Sequence, residues 1–525
     1  MNPLRILLGF ASACAMVIPV KRALHMFQQN RYEYYRYTKW CTGNIGLGLK
    51  KITPEKLLVP AALIAGLLIR NETVKLVVLA VLAFLTAFLL FSDEKKAVHI
   101  KPLVYTGRVK RQIAVMTVLC IALIWLFLYF RLDAYLLPAV YLLPWLLIYV
   151  MAVLTDPVET MVKKHYLNEA KSILKDHTGL IKIGITGSYG KTSTKNIVQA
   201  MLSQQYNSLM TPASYNTPMG ITRTIREMLK PIHKVFVCEM GADHVGEITY
   251  LMDFVQPQIG IVTSIGPQHL NTFGSQENII KEKMEIIEKL PADGLGIMNV
   301  DNDFVRNYKV RNNVRTVTYG IRSENADYRA EDIRYTPAGS RFTVVHGDER
   351  IPIETKLLGE LNVLNILSAI CTARGLDVKW PVIQRAAKTM NQVEHRLEMK
   401  IINGYRFIDD AFNSNPAGSE GALNVLAMMP NRRFIVTPGM IDLGEKQDAY
   451  NREFGKKMKD KADEVILVGE IQTKPIYEGL QESGFDMEHV YVVKTVKEAF
   501  ALVYAKASRE DTILLENDLP DAFSH

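Results

Sequence analysis

Apolar positions follow two regimes along the chain. Up to residue 154 they run together, and residues 6–20, 57–69, 74–91, 113–130 and 136–154 are nearly unbroken stretches of Leu, Ile, Val, Ala and Phe. A helix that is apolar all round has no face to offer water, and at about 1.5 Å per residue the last three runs can cross a hydrocarbon layer about 30 Å thick. The first two need flanking residues to complete a span. The expectation is a membrane region over residues 1–155 with about five transmembrane helices. Beyond it, short apolar strands alternate with helix-period stretches, the pattern of α/β architecture with a mainly parallel sheet.

Charge sharpens the division. The chain carries 62 Lys+Arg and 54 Asp+Glu, but residues 1–154 hold 18 of the basic and only 6 of the acidic groups. The excess therefore lies between apolar runs and not on the soluble part, which argues against a nucleic-acid partner. Eight basic residues fall in 21–56 and six in 92–112, whereas the other short connectors carry only Arg70, Lys75 and Arg131. Because Lys and Arg are retained on the cytoplasmic side, five crossings with an external N-terminus place both basic loops inside and deliver the remaining chain to the cytoplasm. Lys21 and Arg22 directly follow the first run with no small-x-small cleavage site, so it reads as a retained anchor and not a signal peptide. The cluster RYEYYRYTKW, residues 31–40, reads as an interfacial helix at the headgroups, with a lipid-headgroup site as the sharper alternative. No carboxylate or histidine interrupts the runs, against an ion-coupled transporter. The five cysteines form no CxxC pair and are expected to be reduced, mostly buried thiols.

The strongest chemical motif follows a short strand, residues 181–185. In TGSYGKTSTKNIV, residues 186–198, Gly187 and Gly190 let the backbone curl so that N–H groups point at phosphate oxygens, with a helix N-terminus behind them. Ser188 and Ser193 belong to the same nucleotide-binding set. Lys191 offers a point charge to the terminal phosphates, and Thr192 a hydroxyl to Mg²⁺. Counted from Gly187, the loop is one residue shorter than GxxxxGK[ST]. Residues 235–248, VFVCEMGADHVGEI, form a strand that presents Glu239 at a sheet's carboxyl edge, where open α/β folds bind ligands. Residues 259–270, IGIVTSIGPQHL, read as a second buried strand presenting His269 at its end for metal or phosphate contact.

Six ordered segments, GITGSYGKTSTK, EMGADHVGEI, TSIGPQHLNTFGS, GIMNVDND, ADYRAEDI and DDAFNSNPAGS, make the chain resemble the Mur ligase family from about residue 179 to the end. These are the ATP-dependent amide-forming enzymes of peptidoglycan precursor synthesis, and the segments are most similar to those of the member adding D-alanyl-D-alanine. The resemblance implies a P-loop parallel-sheet ATPase domain over residues 156–392 and a smaller Rossmann-like C-terminal domain over 393–525. It implies that Lys191 and Thr192 hold the ATP phosphates and Mg²⁺, and that Asn216 reaches the γ-phosphate. Glu239, His269 and a carbamylated Lys283 would hold the metals; on residue chemistry alone Lys283 is a solvated helix lysine. Asn299 and Asp301 would lie near adenine and ribose, and Arg396 with Asp410, beside Asp409 and Asn413, would close over ATP. The implied reaction runs through an acyl phosphate that the incoming amine displaces, a reaction served by positioning and by cations and needing no side-chain nucleophile.

Three departures stand out. A membrane region replaces the family's UDP-binding first domain, the histidine of GxHNxxN is Leu361, and the family's LVKGS stretch is replaced within TILLENDLPD, residues 512–521. The expectation is therefore a membrane-anchored ligase, using ATP and Mg²⁺, that adds an amino acid or dipeptide to a carboxylate on an envelope precursor or polymer. Alternatives are the UDP-N-acetylmuramoyl-tripeptide ligase proper, a poly-γ-glutamate-type synthase, and a nucleotide-regulated membrane scaffold without enzymatic activity.

Overall fold

The computed structural model describes residues 2–50, 54–96, 102–411, 414–441, 443 and 446–518. The chain forms two compact units, Met1–His165 and Tyr166–His525.

The first unit is helical: α1 (Pro3–Gln29), α2 (Tyr34–Lys50), α3 (Pro54–Leu68), α4 (Glu72–Lys96), α5 (Gly107–Tyr129) and the start of α6 (Leu136–Asp176). Asn2 caps α1, its side chain accepting from the Leu4 amide ahead of a proline at the first helical position. Alanines 11 and 15 of α1 and 80, 83 and 87 of α4 are buried in one cluster, since small side chains let the two backbones approach closely. Charges tie the helix ends, with Lys21 and Arg22 on Glu94 at 2.7 and 2.8 Å, and Arg111 bidentate on Glu159 at 2.7 and 2.8 Å.

All five apolar runs are helical, but among the described residues four helices are long and apolar enough to cross a membrane. The remaining run, residues 57–69, lies in α3, which has only 15 residues, a rise of roughly 22 Å. The aromatic cluster also differs from expectation. Tyr37 is fully buried against Phe27 and Tyr149, and Trp40 stacks on Trp145, so one edge of α2 packs into the helical unit instead of lying wholly at a surface.

The second unit holds two sheets. In the first, β1 (Ile181–Thr186), α7 (Lys191–Leu202), β2 (Ser208–Met210), α8 (Pro218–Met228), β3 (Val235–Glu239), α9 (Glu247–Val255), β4 (Ile259–Val262), α10 (Leu270–Phe273), α11 (Gln276–Glu288), β5 (Leu295–Asn299), α12 (Asp303–Arg306) and β6 (Arg315–Gly320) alternate. An antiparallel extension follows, β7 (Tyr328–Thr336), β8 (Gly339–His346) and β9 (Glu349–Thr355), then α13 (Glu360–Gly375) and α14 (Trp380–Thr389). The order is β2-β3-β1-β4-β5-β6-β7-β8-β9. Strand period two explains the layers. Val235 and Val237 enter the core under α7 and α13, while Phe236 and Cys238 face α8, α9 and α11, so every residue of β3 is buried.

The second sheet comprises β10 (Glu398–Ile402), β11 (Tyr405–Asp410), α15 (Pro416–Ala427), β12 (Arg433–Thr437), α16 (Gln447–Lys457), β13 (Glu464–Val468), α17 (Lys474–Ser483), β14 (Val490–Val493), α18 (Val496–Lys506) and β15 (Thr512–Glu516). Its order is β10-β11-β15-β12-β13-β14, parallel except for β10. Helices α15, α16 and α17 cover one face and α18 the other. The expected pairing of a P-loop domain with a smaller doubly wound domain is thus the architecture observed. The cysteines are free, and all but Cys14 are buried.

Candidate active site

The strand–loop–helix unit begins where β1 ends at Thr186 and α7 starts at Lys191. Gly187 (φ +148°) and Gly190 (φ +82°) take backbone conformations that side chains resist. A Cβ at Gly187 would lie 2.1 Å from Thr263 Oγ1. That hydroxyl, at the end of β4, donates to the Tyr189 carbonyl at 2.5 Å, and Ser188 Oγ donates to the Gly266 carbonyl at 3.0 Å. The loop is therefore laced to the neighbouring strand. Ser193 is buried in the first turn of α7.

Lys191 folds back over the loop, donating to the carbonyls of Gly187 at 2.6 Å and Ser188 at 3.0 Å. Burial pushes its ammonium down to about 8, against the pull of Glu239, with Arg396 adding to the push. Glu239, at the carboxyl end of β3, is 1% exposed and gathers the polar side chains around it. Its Oε1 accepts from Thr192 Oγ1 at 3.3 Å and from Asn216 Nδ2 at 3.0 Å, and its Oε2 pairs with Lys195 Nζ at 3.1 Å. Lys195, fully buried, also donates to the Ala213 carbonyl. The sequence reading did not single it out. Its place four residues after Lys191 sets it on the same face of α7, but only the packing shows that it is buried.

His269 is placed differently from expectation. The strand ends at Val262, and His269 instead starts α10 with φ 56°. Thr272, one turn on, donates from its hydroxyl to the carbonyls of His269 and Asp243, drawing α10 against the loop after β3.

Lys283 is no solvated helix lysine. It is 2% exposed, donates to the Ala242 carbonyl at 2.9 Å and lies 5.5 Å from the Phe273 ring centre. Burial, then the charge of Lys191, pushes it down to about 7. An amine lowered this far is substantially neutral near pH 7, the form that reacts with CO₂ to give a carbamate. Its neighbour Glu282 is spent on structure, accepting the amides of Gly246 and Ile248 at the start of α9.

Asn299 and Asp301 form a brace. Asn299 Oδ1 accepts the Asp301 amide at 3.1 Å, and the Asp301 carboxylate accepts the amides of Ile321, Arg322 and Ser323 at 2.6 to 3.2 Å. Both its oxygens are thus committed to the turn after β6, which limits what the aspartate itself can offer a ribose. Leu361 packs under Gly421 of α15.

In the second sheet, Arg396 interacts with Asp410, Glu239 and Glu516. It therefore bridges electrostatically between the P-loop carboxylate and the second sheet. Asp409 is distinct from Asp410: Lys400 and His395 each lie 2.7 Å from its Oδ2 and hold it below the usual range against the upward push of burial. Asp410 is driven the other way by burial, up to about 6. Asn413 lies outside the described residues.

The description "Mur ligase middle domain" matches residues 185–373, and "Mur ligase, glutamate ligase domain" matches residues 395–516. UDP-N-acetylmuramoyl-tripeptide–D-alanyl-D-alanine ligase of Escherichia coli (strain K12) is 31% identical over 290 residues, 55% of this chain and 64% of that one. Its counterpart in Bacillus subtilis (strain 168) is 30% identical over 353 residues, 66% of this chain and 75% of that one. The chain thus spans a little under two thirds of the first relative's length. Among solved structures, MurF from Acinetobacter baumannii has a TM-score of 0.61 at 24% identity, covering 69% of this chain and 78% of that one. MurF ligase from Thermotoga maritima in complex with ADP has 0.60 at 23%, covering 68% and 80%. The structural likeness bears on the fold.

Proposed function

The chain belongs to the Mur ligase family, and from that premise we propose that it is an ATP-dependent, ADP-forming amide ligase of cell-wall precursor synthesis. Residues 156–392 would form its ATP-binding domain, 393–525 its C-terminal domain, and the helical first unit a multi-pass membrane anchor with the ligase domains on the cytoplasmic side. The observation that carries the reading is the Glu239 carboxylate, held by Thr192, Asn216 and Lys195 directly beside a glycine-cradled loop.

ATP and Mg²⁺ fit the residues present. The cradle at Gly187 has no room for a Cβ, and Lys191 occupies itself with loop carbonyls that a phosphate would release it from. A carboxylate, a hydroxyl and an amide oxygen form the hard donor set Mg²⁺ prefers. Thr192 and Glu239 would hold the metal, with His269 and, once carbamylated, Lys283 as further ligands. When bound, Mg²⁺ neutralises charge on the phosphoryl oxygens. The protein's own contribution is positional: the loop amides and Lys191 fix the phosphates, Lys195 holds Glu239 aimed, and Arg396 brings the C-terminal domain's charge to the same place. The acceptor carboxylate then takes the phosphoryl group, and the amine displaces phosphate from the resulting acyl phosphate.

The relatives' names favour D-alanyl-D-alanine as the amine and a UDP-linked muramoyl-tripeptide as acceptor. The apolar helices favour a membrane-held acceptor, and the basic segments 21–56 and 92–112 support five crossings with α3 as the short one. Incubation with UDP-linked tripeptide and with lipid-linked precursor, followed by mass spectrometry, separates the two: the true acceptor gains the mass of the amine, and gain by neither refutes the ligase reading.

A further inference from the structure

Helix α5 carries Arg108 in its first turn and Gln112 four residues later on the same face, just ahead of the apolar run 113–130. Gln112 is 0% exposed, and among the described residues neither its Nε2 nor its Oε1 has a hydrogen-bond partner. The Nε of Arg108 is buried and equally without a partner. One turn beyond Gln112 the face becomes apolar, where Met116 packs with Phe27, Met151 and Ala152. An apolar side chain would fill the place of Gln112 without the cost of an orphaned amide, so the glutamine calls for a group that bonds it.

The surroundings of Arg108 are held in place. Gln28 of α1 exchanges two hydrogen bonds with the Val104 backbone, both 2.9 Å, and its Nε2 also donates to the Tyr32 hydroxyl at 3.0 Å. Tyr32, turned back after α1 at φ +60°, lays its ring against the Arg108 guanidinium, 3.8 Å from ring centre to Cζ. Arg111 is spent on Glu159, and Glu159 and Asp156 reach Arg108 through their charge alone. Asp156 is exposed to water. Side chains on a helix lean toward its N-terminus, so Gln112 leans over the turn that bears Arg108. Arg108 is only half-buried, and the site is reached from its side. Two N–H donors and one amide oxygen thus gather near the positive end of α5.

We propose that Arg108 and Gln112 seat the phosphate of an anionic lipid whose headgroup also bears a hydroxyl. A phosphate oxygen accepts from Arg108 Nε and Gln112 Nε2, and the headgroup hydroxyl donates to Gln112 Oε1. The five-crossing reading sets this end of α5 at the cytoplasmic boundary, the depth at which lipid phosphates lie. A choline headgroup fits poorly, because it brings a fixed positive charge beside Arg108 and has no N–H or O–H for Gln112 Oε1. The site rests on the reading of the first unit as membrane-spanning and is independent of the ligase chemistry.

The test uses the full chain in non-ionic detergent, with phosphatidylglycerol and phosphatidylcholine of identical acyl chains added in equal amounts and the bound lipid counted by native mass spectrometry. Phosphatidylglycerol is expected to be retained about tenfold or more over phosphatidylcholine. Gln112→Leu is expected to abolish that preference while its thermal midpoint without lipid stays at or above that of the wild type, since the orphaned amide is gone. Arg108→Gln carries the same test of preference should the leucine variant misfold. Glycerol 3-phosphate, the soluble source of the same chemistry, is expected not to displace the lipid at equal concentration. Equal retention of the two lipids, a preference that survives in both variants, or displacement by glycerol 3-phosphate overturns the proposal. Carbonate washing of membranes that contain the chain tests the underlying reading separately: a chain that washes off refutes the membrane anchor, whereas a chain that stays but shows no lipid preference refutes the site alone.

Discussion

Replacing Lys195 by Met tests the polar core of the site. The pair it forms with Glu239 is 3.1 Å long and both side chains are essentially inaccessible. At an effective dielectric of about 20, the gross attraction at that distance is about 5 kcal/mol, most of it offset in the wild type by desolvation of both charges. Removing one partner removes the attraction but leaves Glu239 buried, so the expected loss is about 3–5 kcal/mol. Hydrogen exchange in the peptide spanning β3, fully buried in the sheet, reads this directly. Amide exchange through cooperative opening should accelerate about a hundred- to several-thousandfold. Lys195→Met/Glu239→Gln should recover most of the loss, because the uncompensated charge is gone. A single variant that exchanges within a fewfold of wild type, or a double variant no better than the sum of the two single ones, refutes the ion pair as the element that holds Glu239 in place.

Three further predictions follow from other parts of the site. Gly187→Ala forces a Cβ to 2.1 Å from Thr263 Oγ1 at φ +148°; ADP affinity measured by calorimetry should fall at least tenfold, with the thermal unfolding midpoint lowered only slightly. Because Lys191 titrates near 8 in the fold instead of 10.5, its charge disappears as pH rises through 8, so ADP affinity should weaken above that pH by up to tenfold per unit. The sign for stability is opposite: the fold releases this proton before the unfolded chain does, so stability of the nucleotide-free protein gains from this group between about pH 8 and 10.5. Asp301→Ala strips the acceptor from three backbone amides, at an expected cost of about 2–4 kcal/mol in hydrogen exchange of β6.

The sequence made the loop of residues 187–190 and the Glu239 strand end legible, because each depends on local chemistry: glycine conformation, and a carboxylate where a run of apolar residues stops; the division into two sheets came from the family resemblance. What it concealed depends on burial. Lys195 and Lys283 are helix lysines by every local measure, and only the packed fold reveals that their ammonium groups are out of water. His269 was expected at a strand end because Ile265 prolongs the apolar run beyond Val262, while the backbone has already left the strand. The amides that bond the Asp301 carboxylate were likewise hidden, since an aspartate after a strand offers no hint of a turn twenty residues later. Glu516 passed unnoticed for a related reason. Its neighbour Asp410 lies more than a hundred residues away in sequence, and only the insertion of β15 between β11 and β12 brings the two together.

The central claim is that the site around Lys191 and Glu239 couples ATP cleavage to amide formation. Phosphate release by the full chain, measured with acceptor and amine supplied singly and together, tests it most directly. The expected result is release only when both are present, matched one to one by amide product and lost in Lys191→Ala. Release that needs neither substrate, or that survives Lys191→Ala, contradicts the account.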